Sequence, residues 1–595
     1  MLDAYLKERA SADFDFRKHA CPEDPLRHLF DEWVDYYRGK YAICRAIAPQ
    51  SILEIGVRYG YSAIAFLEAC PGAEYVGLDN DSSSFGGNSG AGDWARKITA
   101  GYRARFIAAD TQQLESLPGE SYDLVHVDGQ QDGDGTWHDL ELALEKGRWI
   151  LVDGIFWSRP NLEAATQFLQ KYRSLIEFAV VLPGYAGDLV VRVRDGAGFV
   201  HRDAQGRTHV AIRDDYTRDY FLRDCGGYEA FKSGSGRRLA DARLISLFEA
   251  GKPWSGARVL DVGCGRGELA YACHKAGARV TGIDYSTAAV EIATEAYRDA
   301  LGPGLEFLCR DILEYEPRER FDRIVAADFV EHLDPATLDR VLGKLAKCLA
   351  SDGSLLVHTW PNRIAYDHQH RMLRRGAAQL GLFVPRNQRS LYEDRMHLNE
   401  QTPSRLRRSL ARHFPHVRVW VGSRADPASG LRAPPGRAML RTHDSIYAVA
   451  ALAPIDLARL RDALAQDEID PTALGNVRLR IGSAPARMLA GRLVELAAEL
   501  DNASGVRLAS RPPYPVHVSY HWIRKDGTLE IFDGLRTGLG DTVEPGERRA
   551  VAVQVLAPSV KGRFDLVVTL VQEGRFWLDA HAAAATAVAP GIEVD

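Results

Sequence analysis

Asp328, Glu331 and His332 stand within five residues of one another in ADFVEHLDP, residues 326–334. Two carboxylates and an imidazole can take a proton from a hydroxyl or hold a metal ion. At positions i, i+3 and i+4 they would share one face of a helical turn. Upstream, RVLDVGCGRGELAYAC places Asp261, Gly263, Gly265 and Gly267 where an apolar run gives way to a helical one. Glycines at such a junction let the chain turn tightly and let a ligand approach the backbone. RVTGIDYS then ends a second apolar run on Asp284. An acid about 20 residues past a glycine turn can accept hydrogen bonds from a ribose diol. The turn alone suits a mononucleotide or a dinucleotide equally.

These residues need a sheet to hold them, and the chain supplies two. From about Ser51 to Arg194 the runs SILEIG, AEYVGLD, ARFIAAD, YDLVHVD and RWILVD read as strands alternating with helices, closed by IEFAVVL and DLVVRV. From about Val259 to Leu452 the same order returns in RVLDVG, ARVTGID, LEFLCRD, FDRIVAAD and GSLLVHTW, closed by VRVWVG and SIYAVAAL. Alternation of this kind makes a mostly parallel α/β sheet. A turn-rich connector, 193–212, joins the two. After residue 453 comes a helix-like stretch, then short alternating runs such as VHVSYHW, punctuated by Asp-Gly and Pro-Gly. That is the pattern of an all-β sandwich.

A net charge of −6 over 595 residues argues against a protein built to grip nucleic acid. Eight scattered cysteines without CxxC pairs suggest neither a zinc ribbon nor a disulfide framework, and fit a reducing compartment. The first residues lack the apolar core of a signal peptide, and no run reaches the ~18 apolar residues of a membrane span.

The D-x-G-x-G-x-G form resembles motif I of the class I S-adenosylmethionine methyltransferases, and the likeness covers roughly residues 216–452. It implies a Rossmann-like fold with S-adenosylmethionine as cofactor. Asp261 would act near the methionine ammonium, with Gly263 and Gly265 at the turn. Asp284 would take the ribose hydroxyls, and Asp311, in LCRDIL, the adenine amine. Tyr285 and Ile312, which follow these two acids, count with the same pocket. Tyr216, Tyr220 and Tyr228 would fold over it or pack as linker core.

The first segment resembles another class I methyltransferase, in the flavour of the catechol O-methyltransferase-like and cephalosporin-hydroxylase-like groups. ILEIGVRYGYSAIAFL carries Glu54, Gly56 and Gly60, while YVGLDND and FIAAD supply Asp79 and Asp110. Those groups hold a divalent metal after strands four and five. Asp128 and Asp153 match two of the metal positions; the third is Gly154, with no ligand atom. His138 and Asp139 could compensate. A domain that binds cofactor without transferring fits these residues too.

The dipeptide Glu331-His332 also occurs in the ubiquinone-biosynthesis O-methyltransferases. E-x-x-E-H with a later histidine belongs to the small-RNA terminal 2′-O-methyltransferases, where the cluster binds a divalent ion. Here the form is D-x-x-E-H, and His397 in DRMHLNEQTP is the later histidine. The resemblance thus implies Mg2+ or another divalent metal on Asp328, Glu331, His332 and His397, or a general base among them. Between strand five and the next helix, 362–400 is rich in Arg, His and aromatics and reads as a lid over an acceptor, or as a solvated insertion.

The C-terminal segment resembles β-sandwich domains of bacterial polysaccharide-assembly proteins, with Tyr520, Trp522, Arg536 and Trp577 as candidate sugar contacts or core residues. The expected organisation is α/β plus all-β. A first methyltransferase domain spans 1–200, a second 201–455, a helical linker 456–489, and an Ig-like or jelly-roll-like sandwich 490–595. The expected function is O-methylation of a sugar hydroxyl on a bacterial surface polysaccharide, O-antigen or capsule, or its lipid-linked precursor. It would be carried out in the cytoplasm or at the inner-membrane face, beside other assembly enzymes. Two other readings fit: methylation of a glycosylated natural product or small molecule, and a glycan-binding assembly factor whose methyltransferase domains do not turn over.

Overall fold

The computed structural model describes residues 1–595 apart from 83–88, 183, 185, 196–215, 234, 235 and 434. The connector 193–212 thus lies for the most part outside the described residues. Two compact units emerge: Met1–Ile212 with Asp367–Met396, and Arg213–Tyr366 with His397–Asp595.

In the first unit, β1 (Ser51–Ile55), β2 (Glu74–Asp79), β3 (Ala104–Ala108), β4 (Tyr122–Val127), β5 (Gly147–Val152), β6 (Ile176–Leu182) and β7 (Asp188–Val193) form one sheet in the order β3-β2-β1-β4-β5-β7-β6. The first five run parallel and β7 is antiparallel to both neighbours. β1 and β4 are nearly continuous apolar runs because helices cover both faces; β6, at an edge, alternates. The order reverses between β1 and β4, so the crevice for a ligand opens beyond their carboxyl ends.

Asp367–Met396 belongs to this unit. Phe383 is buried against Trp137, ring centroids 5.9 Å apart, and its N–H donates to Glu163 Oε2 at 2.7 Å. Lys171 pairs with Asp394 at 2.7 Å, and Arg374 with Asp134 at 2.9 Å. Most of the insertion read as a lid of the second domain therefore finds its partners here. Sequence order alone could not place a segment whose packing surface is so distant along the chain.

In the second unit, β8 (Arg258–Val262), β9 (Arg279–Asp284), β10 (Leu305–Cys309), β11 (Phe321–Ala327), β12 (Leu349–Thr359), β13 (His416–Gly422) and β14 (Ser445–Ala451) repeat that topology as β10-β9-β8-β11-β12-β14-β13. One apolar cluster, with Trp254 and Tyr271, and another, with Leu338 and Phe414, fill the space around the sheet.

The rest of this unit is strand-rich. β15 (Val477–Ile481), β17 (Leu493–Asn502) and β21 (Arg548–Leu556) form one sheet. The other follows the order β16-β24-β22-β18-β19, built from β16 (Arg487–Met488), β18 (Val516–Arg524), β19 (Leu529–Ile531), β22 (Gly562–Gln572) and β24 (Ala587–Val594), with β20 (Thr537–Gly538) paired to β18 and β23 (Phe576–Trp577) to β22. Val477, Leu500, Val553, Val518, Leu566 and Ile592, drawn from both sheets, share one core. The strands begin ahead of residue 490. Within 456–489 the only described α-helix is Leu457–Leu464, and β15 pairs with β17 because Val477 and Leu479 alternate with Arg478 and Arg480.

Tyr520 and Trp522 lie on the inward face of β18, 1% and 0% exposed, so they are core residues and not sugar contacts. The Trp522 indole donates to the Leu556 carbonyl at 2.9 Å. Trp522→Phe removes that donor and leaves a small void. It should destabilise the fold by about 2 kcal/mol, read from the denaturant midpoint at unchanged slope.

Candidate functional site

In the second unit the chain leaves β8 through a turn whose Gly263, Gly265 and Gly267 have φ of +69°, +50° and +80°. A Cβ on Gly263 would lie 2.7 Å from the Phe329 ring, so no other residue fits there. Asp284, at the end of β9, accepts from the Gly265 N–H at 3.1 Å with one oxygen and from the Ser286 N–H at 2.9 Å with the other. It thereby ties the turn to the next strand. Burial pushes Asp284 up to about 6 against three backbone N–H groups that favour the anion. Burial also pushes Asp261 up to about 7, opposed by the Ala270 N–H and helped by nearby Asp284. Two carboxylates held this far above their usual range are poised for a cationic partner. Asp311 accepts from the Leu313 N–H at 2.9 Å, and Ile312 is buried beside it.

Tyr216 closes this row. Its carbonyl accepts from Ser286 Oγ at 2.9 Å and its ring meets Tyr285 edge-on at 5.3 Å. Its hydroxyl lies 2.8 Å from His332 Nδ1. Buried Arg266 anchors the same segment, donating to the Phe221 carbonyl at 2.9 Å and the Gly226 carbonyl at 2.8 Å. Tyr220 packs edge-on against Tyr216. Tyr228 begins the short helix Tyr228–Ser233.

Glu331, His332 and His397 come together, with one possible ligand atom from each lying within 4.8 Å of the others. Glu331 is 1% exposed; it accepts from Thr359 Oγ1 at 2.8 Å and from the Trp360 N–H at 3.3 Å. Burial raises its pKa, partly offset by His397. The Asn399 N–H donates to the Glu331 carbonyl at 2.9 Å, which pins the loop carrying His397. His397 Nδ1 is buried without a hydrogen-bond partner, and Glu400 Oε1 lies 3.8 Å from it. An unsatisfied imidazole nitrogen beside a second imidazole and a carboxylate fits a divalent ion, and mixed nitrogen and oxygen donors suit a transition ion better than Mg2+.

Asp328 is not with them. Its φ of +49° puts the backbone in the left-handed region, so no helical turn begins there; the stretch forms only a 3₁₀ turn, Val330–His332. The Asp328 carboxylate pairs with Arg243 and with His358 Nδ1, the latter at 2.5 Å. Burial, followed by the Arg243 charge, lowers His358 to about 3, so that ring stays neutral. The expected shared face of Asp328 with Glu331 and His332 is corrected accordingly.

In the first unit the parallel residues split in two ways. Asp79 accepts from the N–H groups of Val57 and Arg58 at 2.7 and 2.8 Å, as Asp284 does with its own turn. Gly56, at φ +84°, could not carry a Cβ, which would sit 2.0 Å from the Asp128 carbonyl oxygen. Gly60 caps the helix Tyr61–Ala69. Asp110 accepts from the Gln112 N–H at 3.0 Å. A cavity of about 440 Å³ is lined by Gly56, Asp79, Asp110, Asp128 and Asp153 together with Trp33, Tyr36, Tyr37 and Trp157. Glu54, the counterpart of Asp261, does not line it. It is fully buried and taken by Ser62, Tyr75 and His126.

His138 and Asp139 do not join Asp128 and Asp153. Their helix, Asp134–Lys146, turns His138 Nε2 to the Thr111 carbonyl at 2.9 Å and Asp139 to Gln112 at 3.0 Å. His126 does join them. No motif or spacing in the sequence singles out His126, nor Lys40, Arg243 or His358.

Residues 259–353 match a family model described as a methyltransferase domain, and residues 53–154 match another of the same description. The ubiquinone biosynthesis O-methyltransferase of Bradyrhizobium sp. (strain ORS 278) is 30% identical over 158 residues, 25% of this chain and 61% of that protein. Its namesake from Rhodopseudomonas palustris (strain BisB5) is 33% identical over 138 residues, 22% and 53%. The chain thus spans only 53–61% of the length of these two curated relatives. Among solved structures, magnesium protoporphyrin IX methyltransferase from Synechocystis PCC 6803 with bound SAM aligns at 16% identity and a TM-score of 0.26, covering 41% of this chain and 98% of that one. Phosphoethanolamine N-methyltransferase 2 of Haemonchus contortus aligns at 13% and 0.29, covering 69% and 98%. Two Rossmann-like methyltransferase domains, each with its own seven-stranded sheet, therefore stand in tandem along this chain.

Proposed function

We propose that the chain is an S-adenosylmethionine-dependent O-methyltransferase whose second domain methylates a sugar hydroxyl of a bacterial surface polysaccharide or its lipid-linked precursor. The observation that carries the assignment of catalysis to this domain is Tyr216, which joins the Asp284–Ser286 row to His332 of the histidine–carboxylate cluster. Cofactor pocket and proton-handling groups are thereby held in one fixed relation, as transfer between two bound reactants requires.

S-adenosylmethionine supplies an electrophilic methyl on a sulfonium, and a divalent ion on Glu331, His332 and His397 would acidify the acceptor hydroxyl. The chain's own residues do the rest. Asp284, which braces the glycine turn, would accept from the ribose hydroxyls, and Asp261 would pair with the ammonium. Tyr216 holds His332 through Nδ1 beside the cluster, and without an ion there the imidazole would take the acceptor's proton.

The carboxylates give a pH test. Asp261 and Asp284 sit at about 7 and about 6, above the usual carboxylate value, so between roughly pH 4 and 7 the folded protein holds more protons than the unfolded chain. Their contribution to stability is therefore lost as pH rises through that window. A bound ammonium and sulfonium favour the anions, so binding releases protons and affinity climbs from pH 5 to 7. Calorimetry in buffers of different ionisation enthalpy should detect that release; binding with no proton exchange at pH 6 would refute it.

The polysaccharide acceptor draws support from the C-terminal strands, which we read as a sandwich. There half-exposed Trp577 packs with Phe532 and His521, and the Arg536 guanidinium lies 4.9 Å over its ring. Phe532 is 53% exposed. Such a group offers a stacking face and a donor to a sugar. Mass spectrometry of the surface polysaccharide with and without the gene should show O-methyl sugars lost on deletion. An unchanged pattern sinks the polysaccharide acceptor. The curated relatives, named for ubiquinone biosynthesis, favour a second reading, a small-molecule acceptor, and turnover of free small acceptors but not of glycan would select it. Among the described residues no helix is long and apolar enough to cross a membrane. We place the reaction in the cytoplasm, at the inner-membrane face where lipid-linked glycans are assembled.

A further inference from the structure

In the first domain Asp153, one of the two acids that the resemblance assigns to a divalent ion, already holds a cation of the protein's own. Lys40 lies on the helix Phe30–Ile47 and its side chain is wholly buried. Its Nζ is 2.6 Å from Asp153 Oδ1, 3.2 Å from Asp188 Oδ1 and 3.2 Å from His126 Nε2. The Tyr36 hydroxyl donates to the same Asp153 oxygen, and the ammonium lies 4.6 Å over the Tyr36 ring. Burial works against the charge, yet Asp153, Asp188 and Asp128 outweigh it and raise the lysine's pKa.

Two of the three clustered residues, His126 and Asp153, are compromised as ligands by this arrangement. His126 spends Nε2 on Lys40 and Nδ1 on Glu54, at 2.9 Å. Asp153 has one oxygen taken by Lys40 and Tyr36, and Gln131 Nε2 lies 3.4 Å from the other. Gly154 contributes no ligand atom. A doubly charged ion on these groups would also be repelled by the buried ammonium beside it. Of the two acids in this cluster, Asp128 and Asp153, Asp128 alone has no ion pair among the described residues, and Gln131 Nε2 lies 3.3 Å from it. Facing it are Trp33, Tyr36, Tyr37 and Trp157, and the Trp33 indole N–H is buried without a partner.

From this geometry we infer that the Lys40 ammonium is the resident cation of the first domain, held by Asp153, Asp188 and His126 where a divalent ion would otherwise sit. The inference rests on reading that domain as a methyltransferase, but its test does not depend on turnover.

Full-length protein is titrated with Mn2+ while the free ion is followed by electron paramagnetic resonance. Asp128→Asn should leave the number and affinity of bound ions unchanged, because any ion the natural protein takes sits on Glu331, His332 and His397 and is lost in His332→Ala. Lys40→Ala frees Asp153, Asp188 and His126 and should gain one further site, which Asp128→Asn in the same chain weakens at least tenfold. Natural protein that releases a bound Mn2+ on Asp128→Asn overturns the proposal, as does a folded Lys40→Ala protein that gains no site. Should Lys40→Ala fail to fold, the comparison of natural protein with Asp128→Asn decides alone. S-adenosylhomocysteine binding that Asp79→Asn abolishes, measured separately, reports whether the domain's cofactor pocket works at all.

Discussion

Asp284→Asn is expected to lower the second domain's affinity for S-adenosylhomocysteine by about 100-fold or more and to abolish methyl transfer at ordinary cofactor concentration. The asparagine oxygen can still accept one of the two backbone N–H groups, from Gly265 or Ser286, so the turn survives in outline. What is lost is the anion. Hydrogen bonds to a charged acceptor contribute roughly 1.5–3 kcal/mol each, and two ribose hydroxyls bound in a buried site sum to at least ~3 kcal/mol, hence the factor of 100. The amide also turns an N–H group toward one of the two backbone donors, where like meets like. Calorimetry of the full chain separates the two domains: Asp284→Asn should remove one binding event and Asp79→Asn the other, since the acids belong to separate sheets and their effects should add. A titration in which Asp284→Asn keeps full affinity removes the basis for placing a nucleoside at this turn.

How much of this could be read beforehand depends on how local each feature is. The glycine turns and the acids that close the next strands lie within one β-turn-α-β unit, so their geometry follows from residue order, and the structure places Asp79 and Asp284 on the N–H groups of their turns. Glu54 and Asp261 look equivalent in sequence, but Ser62, Tyr75 and His126 close around Glu54, and those partners come from three separate elements. Asp328 was misplaced by one backbone angle. Aspartate tolerates the left-handed region better than most residues, and nothing in ADFVEHLDP announces its use there. Lys40 was invisible because a lysine in an amphipathic helix is ordinarily solvated, and its burial depends on acids 113 and 148 residues away. Tyr216 was legible as an aromatic over the pocket; its bond to His332, 116 residues on, was not.

His332→Ala should cut the turnover of the second domain by 10²–10⁴-fold while S-adenosylhomocysteine binds within about threefold of its natural affinity, because the imidazole handles the acceptor's proton and the cofactor's acids lie elsewhere. Tyr216→Phe is the control for the link between them. It keeps the ring against Tyr285 and loses only the hydroxyl beside His332, so it should cost far less, about tenfold, and shift the pH profile of turnover through the freed imidazole. Base and metal roles separate on further variants. If the cluster holds an ion, Glu331→Gln and His397→Ala each abolish Mn2+ binding, chelation removes activity, and a double variant is no worse than either single one. If His332 acts as a base without an ion, chelation leaves activity intact and the pH optimum follows His332 alone. Asp328→Asn discriminates in both cases. Tied to Arg243 and neutral His358, it should lower stability and leave Mn2+ affinity within threefold. A tenfold loss of ion affinity in Asp328→Asn would return that acid to the cluster and overturn the geometry on which the division of labour rests.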